Sequence, residues 1–176
     1  MKTNNIKNRI KEYFFLNPTT KLRVRQIERE VKVPLPSAIR YSKELKKEGI
    51  LKSQEIAGIK LYSADRISKN FLLEKRLHNL KIIYFSGIIE HLKKELSNPP
   101  IILFGSFEKG EDIETSDIDL YIETNLKIPK LDKFEKLLNR KIQVFKHKKI
   151  KGITNPHLAN NIINGTTLNN FVEVFK

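Results

Sequence analysis

The chain of 176 residues contains no cysteine and no tryptophan, and it has only one methionine. Without cysteine, disulfides, thiolate catalysis and cysteine-bound zinc are all excluded. No stretch approaches the roughly 20 consecutive apolar residues that a membrane-spanning helix needs. The N-terminal sequence MKTNNIKNRI lacks the apolar core of a secretory signal. We therefore expect a cytoplasmic protein without a membrane partner.

Acidic residues are also scarce relative to basic ones. The chain has 34 Lys and Arg against 20 Asp and Glu, a formal net charge of +14. The excess is concentrated in residues 1–64, which hold 15 basic and 6 acidic residues. Strong positive charge favours polyanions as partners. Lysines that merely cover solvated faces are the alternative explanation, and they suit the second half better than the first.

The most informative pattern lies between Ile101 and Glu123. An apolar run ends in Gly105-Ser106, and a second apolar run opens with Asp117-Ile118-Asp119. Two residues at i and i+2 of a strand face the same side, about 7 Å apart. The two carboxylates can therefore share one or two divalent cations beside a Gly-Ser turn that can anchor phosphate.

These residues resemble the signature of the DNA polymerase beta-like nucleotidyltransferase superfamily, and especially its minimal members from archaea and bacteria. Their pattern is a strand, Gly-Ser, a short loop, and Asp-x-Asp on the next strand. The resemblance implies that Asp117 and Asp119 are catalytic and bind Mg²⁺ or Mn²⁺. It also implies that an NTP is held by a set of residues around the turn: Gly105, Ser106, Lys109 and Ser116.

Each implied role has a physical reason. Gly105 has no Cβ to obstruct a phosphate, and Ser106 offers a hydroxyl donor. A short helix starting at Phe107 would add free N–H groups. Carboxylates are the hard oxygen ligands that Mg²⁺ prefers. Two metal ions can activate the attacking oxygen and stabilise the leaving pyrophosphate.

A third carboxylate, on a later strand, is usual in the superfamily, and this chain departs from that pattern. The corresponding strand is predicted over residues 141–145, where Gln143 occupies the expected position. An amide cannot accept a proton from an attacking hydroxyl. Glu123 lies too far along its strand to substitute, and Glu135 or Glu173 would do so only under another strand alignment. Basic residues flank Gln143 and favour an anionic ligand: Arg140, Lys141, Lys146, Lys148, Lys149 and Lys151.

Residues 4–64 are typical of a winged helix-turn-helix. We predict helices over 5–16, 22–31 and 36–48, then strands over 50–55 and 59–63 that flank the tip Ala57-Gly58. The run 44–51 resembles the end of the recognition helix in prokaryotic winged-helix regulators. Exposed side chains of the third helix would enter the major groove, and wing lysines would meet the flanking backbone. The candidate nucleic-acid contacts are Ser37, Arg40, Lys43, Lys46, Lys47, Lys52 and Lys60.

Within that set, Arg40 is the candidate for a bidentate guanine contact, whereas the lysines suit phosphates. Arg23 and Arg25 precede the second helix and can also reach the nucleic-acid backbone. The alternative is a winged helix that serves as a protein–protein or structural module.

Apolar residues at helical spacing predict one long helix over 70–96, with a second apolar stripe that packs within the chain or against a second subunit of a homodimer. Later segments predict a helix over 129–138, a strand over 141–146, a helix over 156–163 and a last strand over 168–175. The fold class is α+β: a winged helix-turn-helix (1–66), a connecting helix (67–98) and a nucleotidyltransferase-type α/β domain with a mixed sheet (99–176).

Two functions follow as hypotheses. The first is an enzyme that moves a nucleoside monophosphate from an NTP to a hydroxyl of a protein, such as a partner toxin, or of DNA or RNA. The second is a DNA-binding transcriptional regulator whose nucleotidyltransferase-like domain has lost catalysis and acts as a sensor or scaffold. The abundance of Lys, Ile and Asn suggests an AT-rich, archaeal genome.

Overall fold

The computed structural model describes residues 6–174 of the chain. Contacts divide the chain into two compact units, Met1–His78 and Asn79–Lys176. Within the described residues, no helix combines the length and apolar character needed to cross a membrane. Asn5, where the first helix is predicted to start, and Phe175, where the last strand is predicted to end, lie outside the described residues.

Short helices and a β-hairpin build the first unit. Its elements up to residue 64 are α1 (Ile6–Leu16), β1 (Lys21–Leu22), α2 (Val24–Val31), α3 (Leu35–Lys47), β2 (Leu51–Ile56) and β3 (Ile59–Ala64). The strands form an antiparallel sheet in the order β1–β3–β2. The two-residue β1 is too short for sequence alternation to predict it. The other elements lie close to their predicted ranges, while the assignment to the winged-helix class stays a prediction.

The core of the first unit is formed by apolar residues from all three of these helices. Ile10 and Phe14 of α1, Ile27 of α2 and Leu45 of α3 are fully buried. Pro residues at the start of α3 fit there because the first helical turn leaves N–H groups unbonded. Burial of one side of α3 leaves its basic residues on the exposed side.

The long helix predicted over residues 70–96 is interrupted, so that prediction is wrong. Helix α4 spans Lys69–Ser86 and helix α5 spans Ile88–Glu95. Gly87 separates them with φ of +77°, a left-handed conformation that only glycine adopts readily. Ser86 Oγ accepts the Ile88 N–H at 3.2 Å and so satisfies a donor at the break. The apolar spacing continues across Gly87 and therefore does not reveal it.

A mixed four-stranded sheet forms the centre of the second unit. After α5 come β4 (Ile101–Phe104), α6 (Gly105–Lys109), β5 (Ile118–Glu123), α7 (Asp132–Leu138), β6 (Ile142–His147), a 3₁₀ turn (Ile150–Gly152), α8 (Pro156–Ile163) and β7 (Thr166–Asn169). The strand order is β6–β5–β4–β7, and β5 runs parallel to β6. Both other pairs are antiparallel, which confirms the predicted mixed sheet.

Three predicted elements of this unit need correction, and the first is the helix predicted over 129–138, which begins at Asp132. The last strand is not residues 168–175 but β7 (Thr166–Asn169), because Asn170 has φ of +49° and turns the chain away. Helix α6 starts at Gly105 and not at Phe107. The boundaries 66/67 and 98/99 stay predictions; the division between the two units lies inside α4.

The sheet has two chemically different faces. On one face, Ile118, Leu120 and Ile122 of β5 join the main core, against α5 and α7. On the opposite face, Ile102, Phe104, Tyr121 and Phe145 form a smaller core with residues of α8 and the 3₁₀ turn. Since strand residues alternate sides, Asp119 lies on the second face with Tyr121.

Candidate active site

Gly105 lies where β4 turns into α6, in direct contact with Asp119. Its φ is +80°, so the backbone there favours glycine. A Cβ added at Gly105 would collide with Oδ2 of Asp119 and lie 3.2 Å from its Cγ. The contact follows from the sheet, because the preceding residue, Phe104, pairs in register with Asp119. Two features therefore favour glycine at position 105: the positive φ and the close Asp119 carboxylate.

Asp117 and Asp119 form a pair of carboxylates at the start of β5. Asp117 is exposed and precedes the strand, while Asp119 is half-buried within it. Burial and, second, the negative charge of Asp117 raise the pKa of the Asp119 carboxyl. Neither side chain has a hydrogen bond or ion pair with any other residue in the described range.

The residues present fit a divalent cation. Two acidic oxygen donors with uncompensated charge are the ligand type that Mg²⁺ prefers, and the space that a Cβ would fill at Gly105 is taken by one of them. Between residues 6 and 174 no group of three or more Asp, Glu or His has the geometry of a metal site. The protein would therefore supply two carboxylates, leaving other positions to water and phosphate.

Gln143 lies beside this pair. In the parallel pairing of β5 and β6 it is the register partner of Asp119, and it is exposed. Register partners on neighbouring strands project from the same face. Gln143 is therefore where the predicted strand alignment puts it, next to Asp119 on the second face of the sheet.

Comparison with known proteins supports the sequence resemblance. Residues 85–167 match the family model of the nucleotidyltransferase domain. The matched segment contains the Gly105–Ser106 turn, both aspartates and Gln143. No curated protein and no solved structure gave a match. The second unit thus has support for the nucleotidyltransferase superfamily, and the first unit has no such support.

The three other residues predicted to hold the NTP lie on the loop before β5 and on α6. Ser116 closes the turn before Asp117: its Oγ accepts the Ile113 N–H at 2.9 Å, and its own N–H bonds Ile113 O at 3.0 Å. Its hydroxyl proton remains able to donate to a ligand. Lys109 is the exposed last residue of α6, and Ser106 is half-buried in the first turn.

A cavity of about 460 Å³ adjoins Asp117. Residues before β5 form one wall, and the α7–β6 region forms the other. The lining residues are Glu114, Thr115, Ser116, Asp117, Asp132, Glu135, Lys136, Asn139, Arg140 and Lys141. Of the predicted site only Ser116 and Asp117 line it, whereas the Gly105–Ser106 turn, Asp119 and Gln143 do not.

The acidic alternatives to Gln143 have other contacts. Glu123 is buried at the far end of β5, where it accepts the Ile150 N–H and pairs with Lys149, both at 3.0 Å. Glu135 accepts the Ile142 N–H at 2.9 Å. Glu173 is exposed and lines a cavity with Glu123. Gln143 is thus the register neighbour of Asp119, and Glu123 pairs with His147 instead.

The predicted nucleic-acid contacts of the first unit lie on two elements. Ser37, Arg40, Lys43, Lys46 and Lys47 belong to α3, whereas Lys52 and Lys60 belong to β2 and β3. All are exposed except Ser37, which is half-buried. Arg40 lies over the Tyr41 ring at 4.3 Å and approaches Glu44 at 3.8 Å. Its side chain remains 63% exposed, so a ligand can still reach it.

Sequence reasoning did not indicate that several polar side chains on the segments next to this site are buried. Asn79, Glu108 and Asp112 are at most 3% exposed, and Arg140 is nearly as buried. Arg140 is therefore no part of a solvated basic cluster. The partners are far apart in sequence, so no local pattern indicates them.

Proposed function

We propose that the chain binds Mg²⁺–NTP through its nucleotidyltransferase domain and transfers a nucleoside monophosphate to a hydroxyl of a protein or nucleic acid. The observation that carries the proposal is the contact between Gly105 and the Asp119 carboxylate, beside the like-charged Asp117. This contact joins the two halves of the motif, and it lies within the matched segment 85–167. Mn²⁺ would serve as an alternative cation.

Each residue has a role that its chemistry allows. Asp117 and Asp119 would hold the metal, which neutralises phosphate charge and polarises the reacting oxygens when bound. Gly105 lets the chain approach the triphosphate, Ser106 and Ser116 donate hydroxyl protons, and Lys109 adds positive charge. The new bond joins the acceptor oxygen to the α-phosphorus, and the bond from that phosphorus to the pyrophosphate breaks.

The acceptor hydroxyl must lose its proton as the new bond forms. A positioned base contributes about 10²–10⁴-fold to such reactions, and the Gln143 amide cannot act as one. Gln143 would orient a water by hydrogen bonds, and the proton of the acceptor hydroxyl would pass to that water as the O–P bond forms. We therefore expect slow transfer in the native chain.

The test is label transfer from each of the four NTPs, labelled at the α-phosphate, in the presence of Mg²⁺ and cell extract. Label on a protein or nucleic acid, lost in Asp117→Asn and kept in Glu111→Gln, supports the enzyme. Glu111 is an exposed acidic residue of the same loop and is the matched control. Label that persists in Asp117→Asn would contradict the proposal.

Gln143→Glu sharpens this test. If only the missing base limits the reaction, the substitution raises the transfer rate at least tenfold while NTP affinity changes little. A rate unchanged by Gln143→Glu would mean that the amide is not the limiting group.

The second candidate is a DNA-binding regulator in which the nucleotidyltransferase domain senses a nucleotide or serves as a scaffold. It is favoured by the charge of residues 1–64 and by the exposed basic side chains of α3. In this candidate the first unit is a winged helix that inserts α3 into the major groove.

Salt-dependent binding to the DNA upstream of its own gene tests the regulator. Lys43→Ala should lower the slope of log affinity against log salt by about one, because one phosphate contact is lost. Lys69→Ala, an exposed lysine at the start of α4, is the control. Tight binding with no label transfer favours the regulator, and equal slopes for both variants would exclude α3 as the contact surface.

A further inference from the structure

A buried polar side chain, Asn79, connects two segments of the second unit. It lies in α4 and is 3% exposed. Its Nδ2 donates one hydrogen bond to Phe107 O and a second to Asp112 Oδ1, both at 2.8 Å. Phe107 lies in α6, two residues after Gly105, while Asp112 lies in the loop that leads to Asp117.

The same chain of contacts extends to a third segment. Oδ2 of Asp112, a residue only 2% exposed, lies 3.8 Å from Nη2 of Arg140. Nη1 of Arg140 donates to Glu114 O at 2.8 Å. Arg140 stands directly before Lys141 and β6, the strand of Gln143. The polar chain therefore contacts α6, the loop before β5, and the start of β6.

We propose that Asn79 is a positioning residue that, with Asp112 and Arg140, fixes the Gly105–Ser106 turn, the aspartate pair and Gln143 relative to one another. This inference rests on the proposed function, since it assigns the three segments to one metal–nucleotide site. Asn79 does not touch the ligand itself; it acts through Phe107 and Asp112.

The chemistry of the group supports positioning over simple packing. Polar groups buried away from water are costly unless all are bonded, and apolar residues of similar volume often stabilise a core as well or better. What bonded networks add is one defined geometry, because each donor must meet its acceptor. The Asn79 amide uses both its hydrogens on oxygens of two different segments, which an apolar residue cannot do.

The disruptive variant is Asn79→Asp, which keeps the side-chain size but turns an acceptor toward Phe107 O and Asp112. Asn169→Asp is a matched control. Nδ2 of Asn169 also donates two bonds, to Asn98 Oδ1 at 3.0 Å and Pro99 O at 2.6 Å. Asn169 pairs with Ile101, at the end of β4 opposite to Gly105.

The first measurement is the affinity of the full-length protein for Mn²⁺ with a non-hydrolysable NTP, at a temperature where urea unfolding shows each variant to be folded. We expect Asn79→Asp to weaken binding at least tenfold, and Asn169→Asp to change it by less than about twofold. The double variant Asn79→Asp with Asp112→Asn exchanges donor and acceptor and should recover part of the affinity. Equal weakening in Asn79→Asp and Asn169→Asp would overturn the proposal.

The second measurement needs no ligand and therefore separates this inference from the proposed function. Hydrogen exchange of the amides in residues 105–109 and 113–118 should become at least tenfold faster in Asn79→Asp and stay unchanged in Asn169→Asp. A native protein that binds no Mn²⁺–NTP contradicts the proposed function, whereas the exchange result still decides whether Asn79 fixes these segments. Unchanged exchange in Asn79→Asp would overturn the positioning role.

Discussion

Ile118, Leu120 and Ile122 on one face of β5 are fully buried in the main core, whereas the other face of the same strand carries Asp119 and, further along, Glu123. Strand β6 repeats this difference, with Val144 packed against the main core and Gln143 exposed on the opposite face. One pair of parallel strands thus has an apolar face and a partly polar face.

The two faces of these strands therefore have different roles. The apolar face stabilises the unit by removing carbon from water, so its residues are exchangeable for others of similar volume. The second face sets which polar groups meet at the start of β5, and a change of Asp119 or Gln143 alters chemistry more than stability.

Loss of the Asp119 carboxylate, on the second face, should give the largest effect, and that effect should be on label transfer. We expect Asp119→Asn to reduce label transfer from NTP to background, since one of the two carboxylates proposed to hold the metal is removed. The circular dichroism spectrum should stay native, because the Asp119 side chain has no hydrogen bond to any other residue between 6 and 174. Transfer by Asp119→Asn within threefold of the native rate would contradict the assignment of Asp119 to the site.

Truncation of a side chain on the apolar face should instead lower the stability of the fold. Leu120→Ala removes a fully buried side chain and should lower the free energy of unfolding by about 2–5 kcal/mol. The matched change on the second face, Gln143→Ala at an exposed side chain, should change the free energy of unfolding by no more than about 0.5 kcal/mol. Urea titration followed by circular dichroism measures both, and similar losses would remove the distinction between the faces.

Gly105→Ala should lower both the stability of the fold and the affinity for Mn²⁺–NTP. A non-glycine residue at positive φ costs roughly 1–2 kcal/mol, and the added methyl group also displaces the Asp119 carboxylate. Gly87→Ala is the matched control, since Gly87 has φ of +77° with nothing near the added Cβ. Both variants should lose similar stability, but only Gly105→Ala should weaken Mn²⁺–NTP binding. Equal affinities would mean that the contact with Asp119 has no functional role.

The smallest effect should be a pH dependence of stability in the absence of divalent metal. The pKa of Asp119 is raised in the folded protein, so the folded state binds more protons than the unfolded state between the ordinary Asp pKa of about 3.9 and the raised value. Its contribution to stability therefore falls as pH rises through that window. Urea midpoints should accordingly favour Asp119→Asn at pH 7 and converge with the native protein at pH 3. If the urea midpoints of the two proteins differ by the same amount at pH 7 and pH 3, the raised pKa of Asp119 does not affect stability.

Much of the candidate site could be predicted because its signals are local. The apolar runs that end at Gly105 and begin at Ile118 indicate two strands with a turn between them, and the nucleotidyltransferase match supports that interpretation. The superfamily resemblance also put Gln143 at the position of the usual third carboxylate, and the pairing of β5 with β6 makes it the register partner of Asp119.

Other features have no local signal. The pairs Asn79–Phe107 and Asn79–Asp112 join residues 28 and 33 positions apart, and Asn79 itself looks like any polar residue of a helix. The break at Gly87 escaped because glycine does not disturb the apolar spacing around it. The start of α6 at Gly105 depends on the left-handed turn there, which a Gly-Ser pair does not by itself specify.

The position of Gln143 has a genetic consequence. Codons for glutamine and glutamate differ by a single first base, and this side chain is exposed on an edge strand, outside both cores of the sheet. A point mutation could therefore introduce or remove an acidic group next to Asp119 without a period of unstable intermediates. The scaffold can therefore carry either residue at position 143, and the charge beside Asp119 can change without loss of core packing.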